Sequence, residues 1–341
     1  MKITPGELYF VGEEDLIDGT LTPLVKIGLV RENEDRTSEE RAREHQTGNP
    51  RHLRVLHVQP SPAVREIEKV LHAEFAPSRI GGEWFHLPGA ELEMAIERAT
   101  VYIEEAKESW PALQASEDLK AKTSNGQSLT PDAATLGLHR RLLDVRKQQD
   151  AAKKAQEEIK QALIEAMEEA AEGSPYIKIK APSKKFNRAA FTTAHPELAE
   201  RYTVEKHRFS RRFNTSGLRG HVSDIPRDNP KLSEHLATVH ESLEAGDPAS
   251  VLHLQYLELL ALWGPLDWER DLLEAGLQAA CQKYDEIADV CTWPSSSSTT
   301  SRLDTTALES EEAEIYKQFL SEEERGVREV VKDLGYRLPP G

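Results

Sequence analysis

Two apolar runs near the N-terminus constrain this chain most: ELYFV at residues 7–11 and LVKIGLV at 24–30. Each is short, apolar and bounded by turn residues, and so reads as a strand, with the Gly-, Asp- and Pro-containing stretch between them as a loop. By the two-residue period Val25, Ile27 and Leu29 share one face, which leaves Lys26 and Gly28 on the other. Lysine is depleted in strands except at edges, so Lys26 is either a solvated edge residue or a charge with a task. In the first strand Glu7, Tyr9 and Val11 lie opposite Leu8 and Phe10, and pairing of the two strands would stand Tyr9 beside Lys26.

Strand and helix signals keep alternating. RTSEERAREHQ reads as a helix capped at Thr37 or Ser38, HLRVLHV as a third strand, and SPAVREIEKVLHAEF as a helix with Ser61 as N-cap and Pro62 at its first position. GGEWFHL reads as a turn with a short apolar segment, and an amphipathic helix ending at Trp110 closes the unit. The expected architecture is an α/β domain over 1–110, a polar linker over 111–132, and a helix with a basic strand and helix module over 133–220. A helical domain over 221–293, interrupted at Gly264 and Pro265, a Ser/Thr-rich joint over 294–302 and an acidic helix over 303–341 complete it. The fold class is thus an α/β N-terminal domain followed by a mainly α-helical region, with no internal repeat.

A net charge of −16 argues against a polyanionic partner, because such binding rests on Lys and Arg. The average hides an asymmetry: residues 176–220 hold 11 basic and 3 acidic side chains, whereas 221–341 hold 10 and 24. Lys178, Lys180, Lys184, Lys185, Arg188, Arg208, Arg211 and Arg212, with Phe186 and Phe209 interleaved, form a candidate surface for a DNA backbone. The acidic C-terminal region is expected to dock on this basic module, restraining it until a partner displaces the contact. No apolar run long enough to span a bilayer and no signal-peptide core is visible, so a cytoplasmic protein without membrane contact is expected. Cys281 and Cys291, the only cysteines, read as core thiols.

Within the first domain Tyr9, Lys26, Arg41, Glu68 and His72 form a constellation suited to phosphodiester hydrolysis. Glu68 is a hard oxygen ligand for Mg²⁺ or Mn²⁺, whose shell phosphate oxygens and water complete. A tyrosine among cations has its pKa lowered and can take a proton from the attacking water. Arg41 is shaped to meet charge growing on phosphoryl oxygens, Lys26 adds a point charge, and His72, four residues after Glu68 and so on the same helical side, can protonate or hold the leaving oxygen.

The ordered series LYFV, VKIG, RAREHQTGNP, EIEKVLHAEF and GEWFHL over residues 6–96 resembles the GIY-YIG nuclease superfamily, in its phage-associated branch with Lys in place of the second Tyr. The first signature departs from the family, reading ELY where the name has Gly-Ile-Tyr, and the loop that follows is long and acidic. The resemblance implies a three-stranded antiparallel sheet flanked by helices and a single-metal, tyrosine-assisted cut of DNA. By it, Tyr9 is the base, Arg41 the phosphate clamp, Glu68 the metal ligand, and Lys26 faces the scissile phosphate. Residues 155–214 are similar to the accessory tail of YqaJ-type viral recombinase exonucleases, without their catalytic core. The expectation is a metal-dependent DNA endonuclease of a kind that suits phage genomes or anti-phage defence; the alternatives are a degenerate domain that grips DNA or a protein without cutting, and a hydrolase acting on RNA.

Overall fold

A computed structural model of the chain describes residues 3–34, 36–47, 49–169, 174–180, 184–216, 229–322 and 328–335. Strands β1 (Gly6–Glu14) and β2 (Leu21–Arg31) pair antiparallel. Helix α1 (Ser38–Gln46) starts from a capping box: the Thr37 hydroxyl accepts the Glu40 amide, and the Glu40 carboxylate accepts the Thr37 N–H. Strand β3 (His52–Ser61) adds to the other side of β1. Helix α2 (Val64–Glu74) begins later than Ser61 suggests, with Ala63 at the N-cap. Ser61 is still held in the ladder opposite Gly6, and its hydroxyl accepts the Ala63 N–H at 3.1 Å instead of capping the helix.

After α2, the GGEWFHL region forms strands β4 (Arg79–Gly81) and β5 (Trp84–His86), joined through Gly82 at φ 57°. Strand β5 pairs with β2, so the sheet has five strands in the order β3-β1-β2-β5-β4, where three were expected. Strands of three residues are too short for alternation to register in sequence. Helix α3 (Ala90–Glu108) closes the unit. One face of the sheet, with Leu8, Phe10, Val25 and Ile27, packs on Ile67 and Leu71 of α2 and Ala99 and Tyr102 of α3. Burying each large apolar side chain there contributes about 1.5–3 kcal/mol. The opposite face carries Tyr9, Val11 and Val30 under Ala42 of α1.

Downstream follow α4 (Trp110–Lys120), β6 (Ser128–Leu129), α5 (Ala133–Glu169), β7 (Ile177–Ile179), β8 (Lys184–Phe186), α6 (Arg188–Ala194), α7 (Pro196–Arg201), β9 (Thr203–Arg211), β10 (Asn214–Thr215), α8 (Pro230–Ala245) and α9 (Ala249–Cys281). The described chain ends with β11 (Glu286–Ile287), β12 (Cys291–Thr292), β13 (Ser295–Leu303), α10 (Thr305–Glu311), α11 (Ala313–Gln318), β14 (Leu320–Glu322) and β15 (Arg328–Val330). Part of the expected linker is therefore helix α4, which buries Leu113 and whose Ser116 hydroxyl donates to Gln278 of α9. Cys281 and Cys291 are buried in one apolar cluster, as core thiols should be.

Helix α9 does not break at Gly264 and Pro265. A Cβ at Gly264 would stand 2.8 Å from the Ala73 Cβ and 3.2 Å from the Val70 carbonyl, so the glycine lets α9 press against α2. Packing on α2 and α5 holds the helix through a proline that removes one of its hydrogen bonds. One turn on, Trp268 enters the N-terminal core, its Nε1 donating to Glu105 at 2.7 Å and its ring edge-on to Tyr102. Sheet and helical body thus share a core.

The Ser/Thr-rich stretch expected to be a joint is strand β13, paired antiparallel with β9 along its whole length. The expected acidic C-terminal helix is two short helices and two strands, with 323–327 and 336–341 outside the described residues. Strand β14 pairs with β8 and β15 with β7, so the acidic region does contact the basic module, through backbone ladders rather than charge alone. The Lys180–Glu329 ion pair at 2.7 Å flanks one ladder.

These ladders reveal a repeat that the sequence conceals. The unit β8-α6-α7-β9 matches β13-α10-α11-β14 at one constant spacing: Asn187 and Asp304 cap the first helices with their side chains, accepting from Ala190 and Ala307. The Asn187 amide donates to the Phe319 carbonyl and the Asp304 amide to the Tyr202 carbonyl, each at 2.8 Å. Phe191 and Leu308, Leu198 and Ile315, Tyr202 and Phe319 fill the shared core in pairs. Only caps and core positions keep their character between the halves, so the likeness is thin in sequence.

Candidate active site

The predicted cluster forms where β5 stops pairing with β2. That ladder covers Leu24, Val25 and Lys26, and beyond the Ile27 amide, which donates to the Glu83 carbonyl at 3.1 Å, β5 no longer covers the β2 edge. Helix α2 reaches this edge: His72 Nε2 bonds to the Ile27 carbonyl at 3.0 Å, and Glu68 lies one turn earlier on the same side. From the opposite face Tyr9, paired with Gly28, lays its ring where the glycine has no side chain; a Cβ there would meet the phenol oxygen at 2.5 Å. Lys26 pairs with Val11 in the ladder, so Tyr9 is its diagonal neighbour. Arg41 comes from α1, bonded to Glu44 at 2.7 Å, and its guanidinium stands beside the phenol.

Electrostatics joins these five side chains and changes two expectations. Tyr9 is 1% exposed, and burial together with the Glu83 charge pushes its phenol up to about 12 against the pull of Arg41. Its pKa is therefore raised, where proximity to cations was expected to lower it. Lys26 is buried and ion-paired with Glu83 rather than being a solvated edge residue, and it lines a small cleft with His45, Asn49 and Trp84. Burial opposes ionisation of Glu83, yet the Lys26 hydrogen bond and charge hold that carboxyl below its usual range. Glu68 sits at the other extreme: burial, reinforced by Glu83, raises it to about 7, with Lys26, Arg79 and Arg31 opposing. Among the described residues the Glu68 carboxyl has no hydrogen-bond or ion-pair partner.

His72 is lowered to about 4, by burial first, and its ring packs on Phe85 at 5.1 Å. It is neutral at ordinary pH and ties α2 to the β2 edge, an arrangement unlike that of a proton donor. Sequence reasoning passed over three neighbours. Glu83, which the GEWFHL motif carries without an assigned role, is brought to Lys26 by its place just before β5; Arg79 lies within charge range of Glu68, and His45 of Lys26 and Arg41. A cleft of about 480 Å³ opens between α2 and α9, walled by Glu68, His72 and Arg79 on one side and Tyr256, Trp263 and Asp267 on the other.

No cluster of three or more His, Cys, Asp or Glu side chains able to hold a metal occurs among the described residues. What the site presents is one half-buried, unpaired carboxyl beside a second acid, a set that fits a hard cation completing its shell with phosphate and water.

The second predicted set is scattered. Arg211 is buried and committed, donating to the carbonyls of Trp293, Gln282 and Tyr284 and stacking 4.0 Å over the Trp293 ring, so it is no part of a DNA surface. Lys180 is paired with Glu329, and Phe186 stacks on Tyr316 at 4.6 Å inside the aromatic core instead of lying between surface cations. Lys178, Lys184 and Lys185 lie on or beside ladders to the acidic strands, whereas Arg188, Arg208, Arg212 and Phe209 are exposed. No helix is long and apolar enough to cross a membrane among the described residues.

Residues 8–100 match the T5orf172 domain, a phage-associated domain described as nuclease-like and related to the GIY-YIG group. No curated protein and no solved structure gives a match to this chain.

Proposed function

We propose that the N-terminal unit is a metal-dependent DNA endonuclease that hydrolyses phosphodiester bonds by a GIY-YIG-type, tyrosine-assisted route. The carrying observation is Glu68, a half-buried carboxyl held near 7 without an ion-pair partner, within charge range of Tyr9, which approaches the β2 edge with Arg41 from the other face of the sheet. A Mg²⁺ or Mn²⁺ ion held by Glu68 and by substrate oxygens would supply the charge that ionises Glu68 and draws the Tyr9 phenol down. Once its own proton has been lost to solvent, the Tyr9 phenolate would orient the attacking water and take its proton, returning to the neutral phenol. The Arg41 guanidinium meets the growing charge on the phosphoryl oxygens. Lys26 contributes its charge from within the Glu83 pair, and His72 acts as a positioning residue that fixes α2, and with it Glu68, against β2.

Plasmid nicking with Mg²⁺ or Mn²⁺ tests this reading. Glu68→Gln, Arg41→Ala and Tyr9→Phe should each lower cutting at least about a hundredfold while DNA binding is retained. Undiminished cutting by Glu68→Gln would overturn the assignment. The near-complete burial of Tyr9 favours a second reading, a nuclease-like domain that holds DNA without cutting it. Wild-type protein that binds plasmid but never nicks it, with either cation, would decide for that reading. Preferential cleavage of RNA in the same gel would redirect the substrate.

A further inference from the structure

A two-stranded ribbon with no buried face contributes little to stability by itself. The ladder between β9 and β13 is such a ribbon, nine residues long on each strand, with every β9 residue from Thr203 to Phe209 and every β13 residue from Ser296 to Arg302 exposed. Its ends are fixed. At one end Arg211 grips three carbonyls of the body, and Ser295 exchanges hydrogen bonds with Ser124. At the other Leu303 is buried in the core of the repeated unit. Anchored ends with a bare centre leave the middle of the ribbon available for contact.

Alternation sorts that centre into two unlike faces. One carries Glu205, His207 and Phe209 opposite Ser301, Thr299 and Ser297. The other sets Lys206 and Arg208 against Thr300 and Ser298, with Arg302 opposite Val204. This second face holds three cations, a row of hydroxyls and no carboxylate. Among the described residues, none of the three cations has an ion-pair partner. In a chain of net charge −16, where Lys and Arg are outnumbered by acids, that is a local reversal of sign.

We propose that this face of the ribbon lies against the backbone of duplex DNA, with Lys206, Arg208 and Arg302 neutralising phosphates and Ser298 and Thr300 donating to phosphate oxygens. Charge complementarity supplies the attraction. Residues two apart on a strand are about 7 Å apart, close to two nucleotide steps of about 3.4 Å along one DNA strand. The B-form major groove admits a two-stranded ribbon, whereas the deep, narrow major groove of an RNA duplex does not, so DNA is the occupant. Lys206 and Arg302 enter a surface that sequence reading built without them, and Arg211 leaves it to hold the ribbon's base. The contact is separate from the Glu68 cluster and does not depend on cleavage there.

The test uses the full chain carrying Glu68→Gln, without divalent cation, titrated against a fluorescent DNA duplex across a salt series and read by anisotropy. Replacing Lys206, Arg208 and Arg302 together by Ser should weaken binding at least about tenfold and flatten the slope of log affinity against log salt by about 2–3, nearly one per phosphate released. Glu205→Ser with His207→Ser, on the other face, should leave the slope unchanged, and Lys206→Arg with Arg208→Lys should retain both affinity and slope. Equal slopes for the parent and the triple variant would overturn the proposal, as would a parent that does not bind duplex DNA or one that binds duplex RNA equally and loses it equally. Unchanged far-UV circular dichroism in the triple variant secures the comparison; if it unfolds, single replacements should each flatten the slope by about 1, and unchanged slopes there count against the contact. With cutting disabled throughout, failure here leaves the endonuclease reading standing, and a wild type that never nicks leaves the ribbon standing.

Discussion

Gly28 shows how one missing side chain organises a cluster. The Tyr9 ring occupies the space a Cβ would take, with the phenol oxygen 2.5 Å and Cζ 2.6 Å from that position. Gly28→Ala should therefore destabilise the protein by about 1–3 kcal/mol, measured by urea denaturation, and displace Tyr9 from its place beside Arg41. Glu68 makes a different kind of prediction. Its carboxyl titrates at about 7 in the fold against an ordinary 4.5, so between those values the folded state binds more protons than the unfolded one, and stability falls as pH rises through that window. His72, lowered from 6.5 to about 4, acts oppositely: its contribution is complete above about pH 6.5 and is lost as pH falls toward 4. Across the overlap the two offset each other. Glu68→Gln should remove one side of the balance, and its stability relative to wild type should rise with pH toward about pH 7 by at most about 3 kcal/mol, read from denaturation midpoints at several pH values. The residue types of this cluster were legible in the sequence. Their ionisation was not, because burial and a second acid, Glu83, set it.

Among elements, the clearest lesson comes from β13 and its partner. A run of Ser and Thr carries little propensity, and nothing local distinguishes a flexible joint from a strand. Its partner β9 lies far upstream, and only pairing makes the segment extended. The same holds for the repeat, whose halves agree in caps and core but not on their surfaces. Because Asn187 and Asp304 occupy matching caps, Asn187→Ala and Asp304→Ala should each cost about 1 kcal/mol in thermal or chemical unfolding. A large cost for one and none for the other would show that the two halves do not bear load alike. By contrast, the Thr37 cap and strands β1 to β3 were readable directly, since capping boxes and two-residue alternation are local signals.

On the scale of the whole molecule, α9 ties the parts together through Gly264 against α2 and Trp268 in the N-terminal core. Trp268→Ala should therefore lower stability by about 3–5 kcal/mol and split a single unfolding transition into two, seen as probe-dependent midpoints. A loss confined to one transition of an already biphasic wild type would argue that sheet and body fold independently. By itself the sequence determined the paired strands of the N-terminal unit, the helix that begins at Thr37, and the residue types of the Tyr9 to His72 series, because each rests on neighbours within a few positions. Tertiary structure alone decided the two short strands β4 and β5, the burial of Lys26 against Glu83, the upward shift of Tyr9, the withdrawal of Arg211 and the exposure of the β9–β13 ribbon. Those outcomes depend on which distant segments remove water from a group or supply its partner, and local spacing carries no record of that.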